Sequence, residues 1–470
     1  MNTGQIIEGQ IEIADGYVGF LANNFHIKIV STNPDFSETK KFINKFIKKY
    51  NQPETFITAC ASTEHLVSFF LQYDLNQILF PLESLSFYTP IFIKSNGNTR
   101  SFYENLACDW ELFHAITFHG GNINTIKNPK RAAIDRRIFN KENSFDGAME
   151  ISIKPFSDYT YKIPICINGV QIEMTISTSR NGIDDYNRRE IGFLDSFIRL
   201  SFEEPQKFNS ILDHYLIVKK LVALFTGQNN VHFNTSVAQR TSNNLYQKTA
   251  NCQIDDRYDN YKKEFDSKVI SLDYFLKDER KVDILINLIR NIEKGKTEHI
   301  LRLLPSDNQK LRLITINDLA NLLSALEVEY NNAEQSILKN DLIEEFKGSI
   351  KETIELFKKK HPELDAYQET NISSAFQYLD YTLKNKIFEL YKRHNEIVDN
   401  IVEKWNLPEA SLENIKKMIK LRNNALHQGY HSWDGSEDLY VPFLALVYAS
   451  FFNRIGCDKE TISDLIKMLF

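Results

Sequence analysis

The sequence predicts an α+β protein with a β-rich N-terminal half and an all-α C-terminal half. Before about residue 235, apolar and polar residues often alternate, which is the period of a half-buried strand. After residue 266, apolar residues recur every three or four positions, as on an amphipathic helix. A polar stretch without a clear period lies between them. We therefore expect a β-rich domain at 1–235, a connector at 236–265 and a helical domain at 266–470.

The clearest strand prediction is a hairpin in YKIPICINGVQIEMTIST, residues 161–178. An Asn-Gly pair, Asn168 and Gly169, separates two runs in which every second residue is apolar. Such a pair favours a two-residue turn because both turn positions need a positive φ angle. Two antiparallel strands are therefore expected, with inward residues Ile163, Ile165, Ile167, Val170, Ile172, Met174 and Ile176.

Helical patterns begin at the end of the β-rich half. In PQKFNSILDHYLIVKKLVALFTGQ, Pro205 precedes the pattern and Gly227 follows it, which predicts a helix between them. Its apolar positions are Phe208, Ile211, Tyr215, Val218, Val222 and Phe225. Further helices are expected within 278–295, 315–338, 373–405, 411–429 and 439–456. Helices with short connections predict a bundle.

Composition narrows the classes of function. The chain has 56 basic and 62 acidic residues, so any nucleic-acid binding must come from a local basic patch. Five scattered cysteines without a CxxC pair argue against a disulfide framework or a cysteine zinc site and for reduced thiols. No apolar run is long enough to cross a bilayer, and the N-terminus lacks the pattern of a secretion signal. We expect a cytoplasmic protein with no membrane partner.

The stretch IKLRNNALHQGYHSW, residues 419–433, contains an arginine and a histidine five positions apart. On a regular helix, Arg422 and His427 lie about 140° apart, whereas Asn423 and His427 share a face. One interpretation is an ordinary basic helix end, in which the histidine favours the helix dipole. In the other, the two side chains converge because the helix loosens or because two copies of the segment meet across an interface.

Arg422, Asn423 and His427 resemble the motif of the HEPN superfamily, whose ribonucleases carry an arginine, often followed by asparagine, and a histidine shortly beyond. Together with SFIRLSFEEP, LFTGQ and LLSALEVEY, they make nearly the whole chain similar to the ApeA family of bacterial anti-phage proteins. The resemblance implies a HEPN-type bundle acting as a metal-independent endoribonuclease in abortive infection. It implies catalytic roles for Arg422, Asn423 and His427, with Glu327 supporting the arginine, and no cofactor.

These residue types suit RNA cleavage without a metal. The ribose 2′-hydroxyl attacks the adjacent phosphorus, and a histidine can accept that proton or donate one to the leaving oxygen. An arginine offers a fork of donors to the charge on the phosphoryl oxygens. In HEPN enzymes the helices pair, so the resemblance implies that a homodimer, or a higher oligomer, assembles the site. The expected products carry a 2′,3′-cyclic phosphate and a 5′-hydroxyl.

A patch of basic residues accompanies the motif. The expected substrate is tRNA, and the residues predicted to bind it are Lys416, Lys417, Lys420, Lys392, Arg393 and Tyr430, the last by stacking on a base. Lys384, Lys386 and His394 lie near Lys392 in the sequence and extend the patch. Such clusters are also common on solvated helix faces that bind nothing.

Two alternatives to a defence ribonuclease stay open. The helical domain could be a non-catalytic HEPN module that dimerises or binds a ligand, or the chain could be the toxin of a toxin–antitoxin pair. The intact Arg-Asn…His pattern favours an enzyme, and the large β-rich domain favours internal regulation by a phage-derived trigger. His114 and His119 lack a thiolate or carboxylate that would complete a metal site, so no metal is expected.

Overall fold

A computed structural model gives the fold of the chain. It describes residues 6–13, 16–23, 25–30, 56–69, 72–73, 85–98, 106, 108–139, 148–181, 193–255, 269–276, 278–305, 314–333, 341–375, 382–428 and 437–470. Contacts divide the chain into two compact units. The sheet unit comprises 1–226 and 230–282, and the helical unit comprises 227–229 and 283–470. The prediction of an α+β protein, with strands first and helices after them, is confirmed at this level.

The sheet unit contains one large antiparallel sheet. In chain order its described strands are β1 Ile7–Ile13, β2 Gly16–Asn23, β3 His26–Val30, β4 Ile57–Ala61, β5 His65–Phe69, β6 Gln72–Tyr73, β7 Leu85–Tyr88, β8 Ile91–Asn98, β9 Leu112–His119, β12 Tyr161–Ile167, β13 Val170–Asn181, β14 Phe193–Lys207, β15 Asn234–Arg240 and β16 Tyr246–Ile254. Their order across the sheet is β12-β13-β14-β9-β15-β16-β8-β5-β4-β1-β2-β3-β7-β6. A separate hairpin pairs β10 Ile134–Phe139 with β11 Ala148–Ile153.

The predicted Asn-Gly hairpin is confirmed. Strands β12 and β13 pair antiparallel, with Ile167 opposite Val170 across the turn. Asn168 has a φ angle of 50° and Gly169 one of 78°, so both turn positions adopt the left-handed conformation that the pair was expected to supply. The predicted inward isoleucines of β12 are buried, as are Ile172, Met174 and Ile176 of β13.

The helix predicted after Pro205 begins later than expected. Pro205 lies in β14, between Ser201 and Gln206, where the register against β9 shifts. A proline has no N–H to donate, so it is tolerated where the ladder is irregular. A 3-10 turn at Phe208–Ser210 then leads into helix α3, Ile211–Thr226. The six predicted apolar positions of this segment are all buried.

The predicted connector is corrected over much of its length, because most of β15 and the whole of β16 fall in 236–265, and both strands occupy the middle of the sheet. The sequence pattern did not predict these strands because several of their buried residues are polar and hydrogen-bonded. Gln239 is the clearest case: its amide nitrogen donates to the carbonyl oxygens of Asp109 (3.0 Å) and Leu112 (2.9 Å). The sheet unit also continues to residue 282, beyond the predicted boundary.

Short helices complete the sheet unit: α1 Asn122–Ile126, α2 Pro129–Ala133 and α4 Leu272–Leu276. The amine of Lys127, just after α1, is fully buried and donates to Asp273 of α4 at 2.8 Å. Burial of a lysine requires such a partner, because an unpaired charge in the interior is strongly disfavoured. The pair therefore ties a segment after β9 to one that follows β16 in the chain.

The helical unit is built around one apolar helix. Its described helices are α6 Glu298–Leu301, α7 Ile316–Asn332, α8 Asp341–Lys360, α9 Ala366–Ala375, α10 Leu383–Trp405, α11 Leu412–Gln428, α12 Tyr440–Arg454 and α13 Lys459–Leu469, and α5 Glu279–Glu293 crosses into it from the sheet unit. Helix α12 packs against α7, α10 and α13, and α11 packs against α7 and α10. Among the described residues, no helix has the length and apolar character needed to cross a bilayer.

The turn after β9 generates a test of the fold. Gly121 has a φ angle of 50°, and a Cβ there would overlap the carbonyl oxygen of His232. We expect Gly121→Ala to destabilise the protein by about 3 kcal/mol, since strain adds to the clash. Gly169→Ala, also at positive φ but with no heavy atom within 4 Å, is the control and should cost about 1 kcal/mol. Urea unfolding measures both, and equal losses would show that the contact with His232 is unimportant.

Candidate functional site

The motif lies on α11, whose start is the one that the sequence predicts. The hydroxyl of Ser411 accepts from the backbone N–H of Asn414 at 3.3 Å, which caps the helix. Ile415 and Met418 are fully buried and fix the face that packs against α7 and α10. The helix continues to Gln428, so all three motif residues, Arg422, Asn423 and His427, have helical backbone.

The helical register separates the arginine from the histidine. Arg422 lies within about 40° of Ile415 and Met418 around the helix axis, so it belongs to the packed side of α11. It is half-buried there, and no carboxylate in the described part of the chain forms an ion pair with it. Position 427 lies about 140° away. The side chain of His427 is outside those that the structure describes.

The outer side of α11 carries a row of polar and basic residues, which we call the basic face: Lys416, Lys420 and Asn423, with position 427 in the same register. All three described side chains are exposed. Among the described residues neither Lys416 nor Lys420 forms an ion pair, which leaves both ammonium groups for an external anion. Lys417 lies at the edge of this face and is 3.5 Å from Glu413.

The predicted RNA-binding residues of α10 differ in their surroundings. Lys392 is exposed but pairs with Glu389 at 2.9 Å, and Arg393 is exposed. His394 was expected in the basic patch, and this expectation is wrong because the ring is buried. Burial, with the charges of Arg393 and Lys459, lowers the pKa of His394 to about 4 despite the nearby Glu329. A neutral buried imidazole cannot attract a phosphate.

Glu327, the predicted support for Arg422, bonds to a different residue. Its Oε1 accepts from Nζ of Lys386 on α10 at 2.8 Å. The carboxylate is partly exposed, whereas the lysine side chain is mostly buried. This ion pair joins α7 to α10, the two helices on which α11 packs. Tyr430, the predicted stacking residue, lies outside the described residues.

Two residues further along α7, Glu329 forms a buried cluster that the sequence prediction missed. Its carboxylate is fully buried and accepts from Nε and Nη2 of Arg454, at 3.0 and 2.8 Å, at the end of α12. It also bonds to Nε2 of His299 on α6 at 2.6 Å. The remaining Arg454 donors bind Asn291 and the carbonyl of Lys296. A bidentate guanidinium–carboxylate pair is among the strongest polar contacts, so this cluster locks three helices together.

The charge on Glu329 is maintained by its partners. Burial by itself raises the pKa of this carboxyl, but hydrogen bonds from His299 and Arg454, together with the positive charge of Arg454, outweigh it and lower the pKa below its ordinary value. A depressed carboxyl pKa stabilises the folded protein above the unfolded pKa. That stability is lost as the pH falls through the folded pKa.

The two histidines considered for a metal site do not form a pair. His114 and His119 are five positions apart on β9, which puts them roughly 16 Å apart along the strand. Nδ1 of His114 accepts from the backbone N–H of Arg240 at 3.2 Å. Burial, with the charge of Lys248, lowers the pKa of His119.

Comparisons with protein-family models, with curated proteins and with solved structures find no match to this chain.

The Glu329 cluster yields a stability prediction with a control on the same helix. Glu329→Gln leaves the mostly buried guanidinium of Arg454 without its counter-charge, so we expect a loss of about 3 kcal/mol in the free energy of unfolding. Glu327→Gln breaks a partly exposed pair and should cost no more than about 1 kcal/mol. Urea unfolding at neutral pH, followed by far-UV circular dichroism, compares the two. Because the pKa of Glu329 is depressed in the folded protein, the gap between wild type and Glu329→Gln should shrink as the pH falls below the ordinary glutamate pKa of 4.5 and through the folded pKa.

His394 yields a separate pH dependence. The unfolded chain binds a proton to this ring below its ordinary pKa of 6.5, whereas the folded chain resists it down to about 4. Stability should therefore fall as the pH drops through this window, by roughly 3 kcal/mol for this group. His394→Gln should flatten that part of the stability profile. An unchanged slope between the two pH values would show that another group is responsible.

Proposed function

We propose that the protein is a metal-independent endoribonuclease of HEPN type that acts in bacterial anti-phage defence, with tRNA as its substrate. The observation that supports it best is the basic face of α11. This face combines two lysines that make no ion pair among the described residues with an exposed asparagine, and the motif histidine occupies the next position in register. Ammonium groups in this arrangement suit the repeated phosphates of an RNA strand.

The arginine and histidine of one regular helix cannot act on one phosphate from opposite sides of that helix. In the proposed enzyme, two protomers pair so that Arg422 of one copy and His427 of the other line a single cleft. A C2 dimer has two such positions, related by its axis. The surroundings of half-buried Arg422 support this arrangement. No carboxylate in the described part of its own chain pairs with the guanidinium, which therefore retains donors for a phosphate.

In this site the imidazole of His427 accepts the proton of the 2′-hydroxyl or donates a proton to the departing 5′-oxygen. The guanidinium of Arg422 stabilises the negative charge that builds on the non-bridging phosphoryl oxygens. Asn423, four residues before His427 and on the same face, orients the ring or holds a phosphate oxygen. Glu327 acts at a distance by fixing Lys386 and thereby the packing of α7 against α10.

A ribonuclease that stops host translation must be silent before infection. We assign this restraint, and the response to a phage-derived trigger, to the sheet unit. A second candidate is a non-catalytic HEPN module that binds RNA through the basic face. The angular separation of Arg422 and His427 favours it, because a binding surface does not require the two side chains to meet.

The catalytic proposal predicts loss of cutting in two single variants. Purified protein is incubated with total tRNA in EDTA, and the ends of the products are analysed. Wild-type protein should leave 2′,3′-cyclic phosphate and 5′-hydroxyl ends, and Arg422→Ala or His427→Ala should each reduce cutting by at least about a hundredfold. Cutting by both variants at the wild-type rate would contradict the assignment. If the wild-type protein binds tRNA but neither it nor the variants cut it, the non-catalytic module would be favoured.

The basic face makes a second, separable prediction. Lys416→Gln combined with Lys420→Gln removes two phosphate contacts but no reacting group, so KM for tRNA should rise several-fold while kcat changes little. The salt dependence of binding should also become shallower by about two charges. Lys467→Gln, an exposed lysine on α13, is the control and should behave as wild type. An unchanged KM in the double variant would place the RNA elsewhere.

A further inference from the structure

Helix α8 is unusual in the helical unit because it buries almost nothing. Every described side chain of Asp341–Lys360 is exposed or half-buried, and the exposed fractions are 56% for Phe346, 59% for Leu356 and 44% for Phe357. Among the described residues, α8 packs against α9. Tyr367 on α9 is itself 75% exposed. The two helices therefore present apolar side chains to solvent.

The composition of α8 indicates that its apolar side packs against a partner. The helix contains Gly348 and several β-branched and aromatic residues, which are weak helix formers, and helices in proteins owe most of their stability to the packing of an apolar face. Its apolar residues Phe346, Ile350, Ile354 and Phe357 fall within an arc of about 80° and form a single stripe. A narrow apolar stripe with charged flanks is the pattern of a helix that packs against another helix.

The stripe is close to symmetric about its own centre. If a second α8 lies antiparallel to the first, with a two-fold axis near residue 352, Phe346 of one copy faces Phe357 of the other. Ile350 then faces Ile354. An interface in which residue i meets j and j meets i is what a C2 dimer requires.

The charges agree with the same pairing. The sequence of α8 begins with DLIEE and ends with FKKK, so the helix is acidic at one end and basic at the other. Antiparallel pairing brings the end containing Asp341, Glu344 and Glu345 against Lys358, Lys359 and Lys360 of the second copy, twice per dimer. Parallel pairing would instead oppose like charges. The helix carries five acidic and five basic residues, and a membrane-surface helix would need a predominantly basic polar face.

We propose that α8 is a self-association surface: two copies of the chain pair antiparallel through the Phe346–Phe357 stripe. This surface is distinct from α11, so it gives the chain a second contact beyond the pairing that the ribonuclease proposal invokes. It does not depend on that proposal.

The test measures the mass of the full-length protein in solution by light scattering and sedimentation. Phe346→Glu with Phe357→Glu places charges in the stripe and should halve the mass of the wild-type particle, while far-UV circular dichroism falls by no more than the helicity of α8. Leu356→Glu, 59% exposed but off the stripe, is the matched control and should leave the mass unchanged. A monomeric wild type, or a double variant with wild-type mass, overturns the proposal.

Charge reversal tests the direction of pairing. One variant carries Lys358→Glu, Lys359→Glu and Lys360→Glu, and a second carries Asp341→Lys, Glu344→Lys and Glu345→Lys. For each variant alone, the dissociation constant of the α8-mediated pair should be at least about tenfold higher than that of wild type, because like charges meet at both ends. An equimolar mixture should pair again, since both ends are then complementary. No recovery in the mixture contradicts the antiparallel pair.

Two further outcomes would assign α8 to another partner. Wild-type protein that is monomeric but pellets with vesicles of phosphatidylcholine and phosphatidylglycerol, in a manner lost on Phe346→Glu, would identify a lipid surface and overturn self-association. Cutting of tRNA is recorded in parallel for every variant. Loss of mass with cutting retained, or cutting abolished in Arg422→Ala with the mass retained, separates the two proposals from each other.

Discussion

The regularity of α11 is the constraint on which the functional account depends. A backbone that stays helical to Gln428 turns by about 100° at each residue, and this fixes which side of the helix each motif residue occupies. Arg422 is on the same side of α11 as the buried residues Ile415 and Met418. Position 427 is on the same side as the exposed lysines Lys416 and Lys420. No rotation of side chains alone removes this separation. A catalytic reading of the motif therefore requires a second copy, whereas a binding role requires only the basic face.

The two helices on which α11 packs are held in place by polar contacts. These helices are α7 and α10, and the Glu327–Lys386 pair joins them at 2.8 Å. Helix α7 is anchored by the buried carboxylate of Glu329, which holds Arg454 and His299. Apolar packing allows helices to slide, but a bidentate ion pair in the interior tolerates one geometry. The cluster thus fixes α7, one of the two helices on which α11 packs.

Local patterns predicted much of the fold. The Asn-Gly hairpin and the buried face of α3 followed from spacing alone, because turn chemistry and helical period act over a few residues. Strands β15 and β16 did not, since several of their residues, among them Ser236, Gln239 and Thr249, are polar yet buried. The hydrogen-bond partners of Gln239 lie far away in the sequence, at Asp109 and Leu112. Long-range satisfaction of a polar group leaves no signal in the local pattern.

The polar site was only partly predictable for a related reason. Positions 327 and 329, two residues apart on α7, are both glutamate, and only their helical register distinguishes them. Glu329 lies three residues after Leu326 and seven after Leu322, inside the apolar stripe of α7, and a glutamate in such a stripe indicates a buried partner. That signal was available in the sequence. The identity of the partner, Arg454, was not, because it comes from a helix more than a hundred residues away.

Subunit complementation tests the central claim most directly, namely that an arginine and a histidine from two copies meet at one phosphodiester. Arg422→Ala and His427→Ala proteins are mixed, allowed to exchange, and checked for mixed dimers by native mass spectrometry. A mixed dimer retains one cleft with an intact Arg422 from one copy and an intact His427 from the other, so random mixing should restore about a quarter of the wild-type tRNA cutting. Mixed dimers that form but cut no faster than either parent would contradict the account.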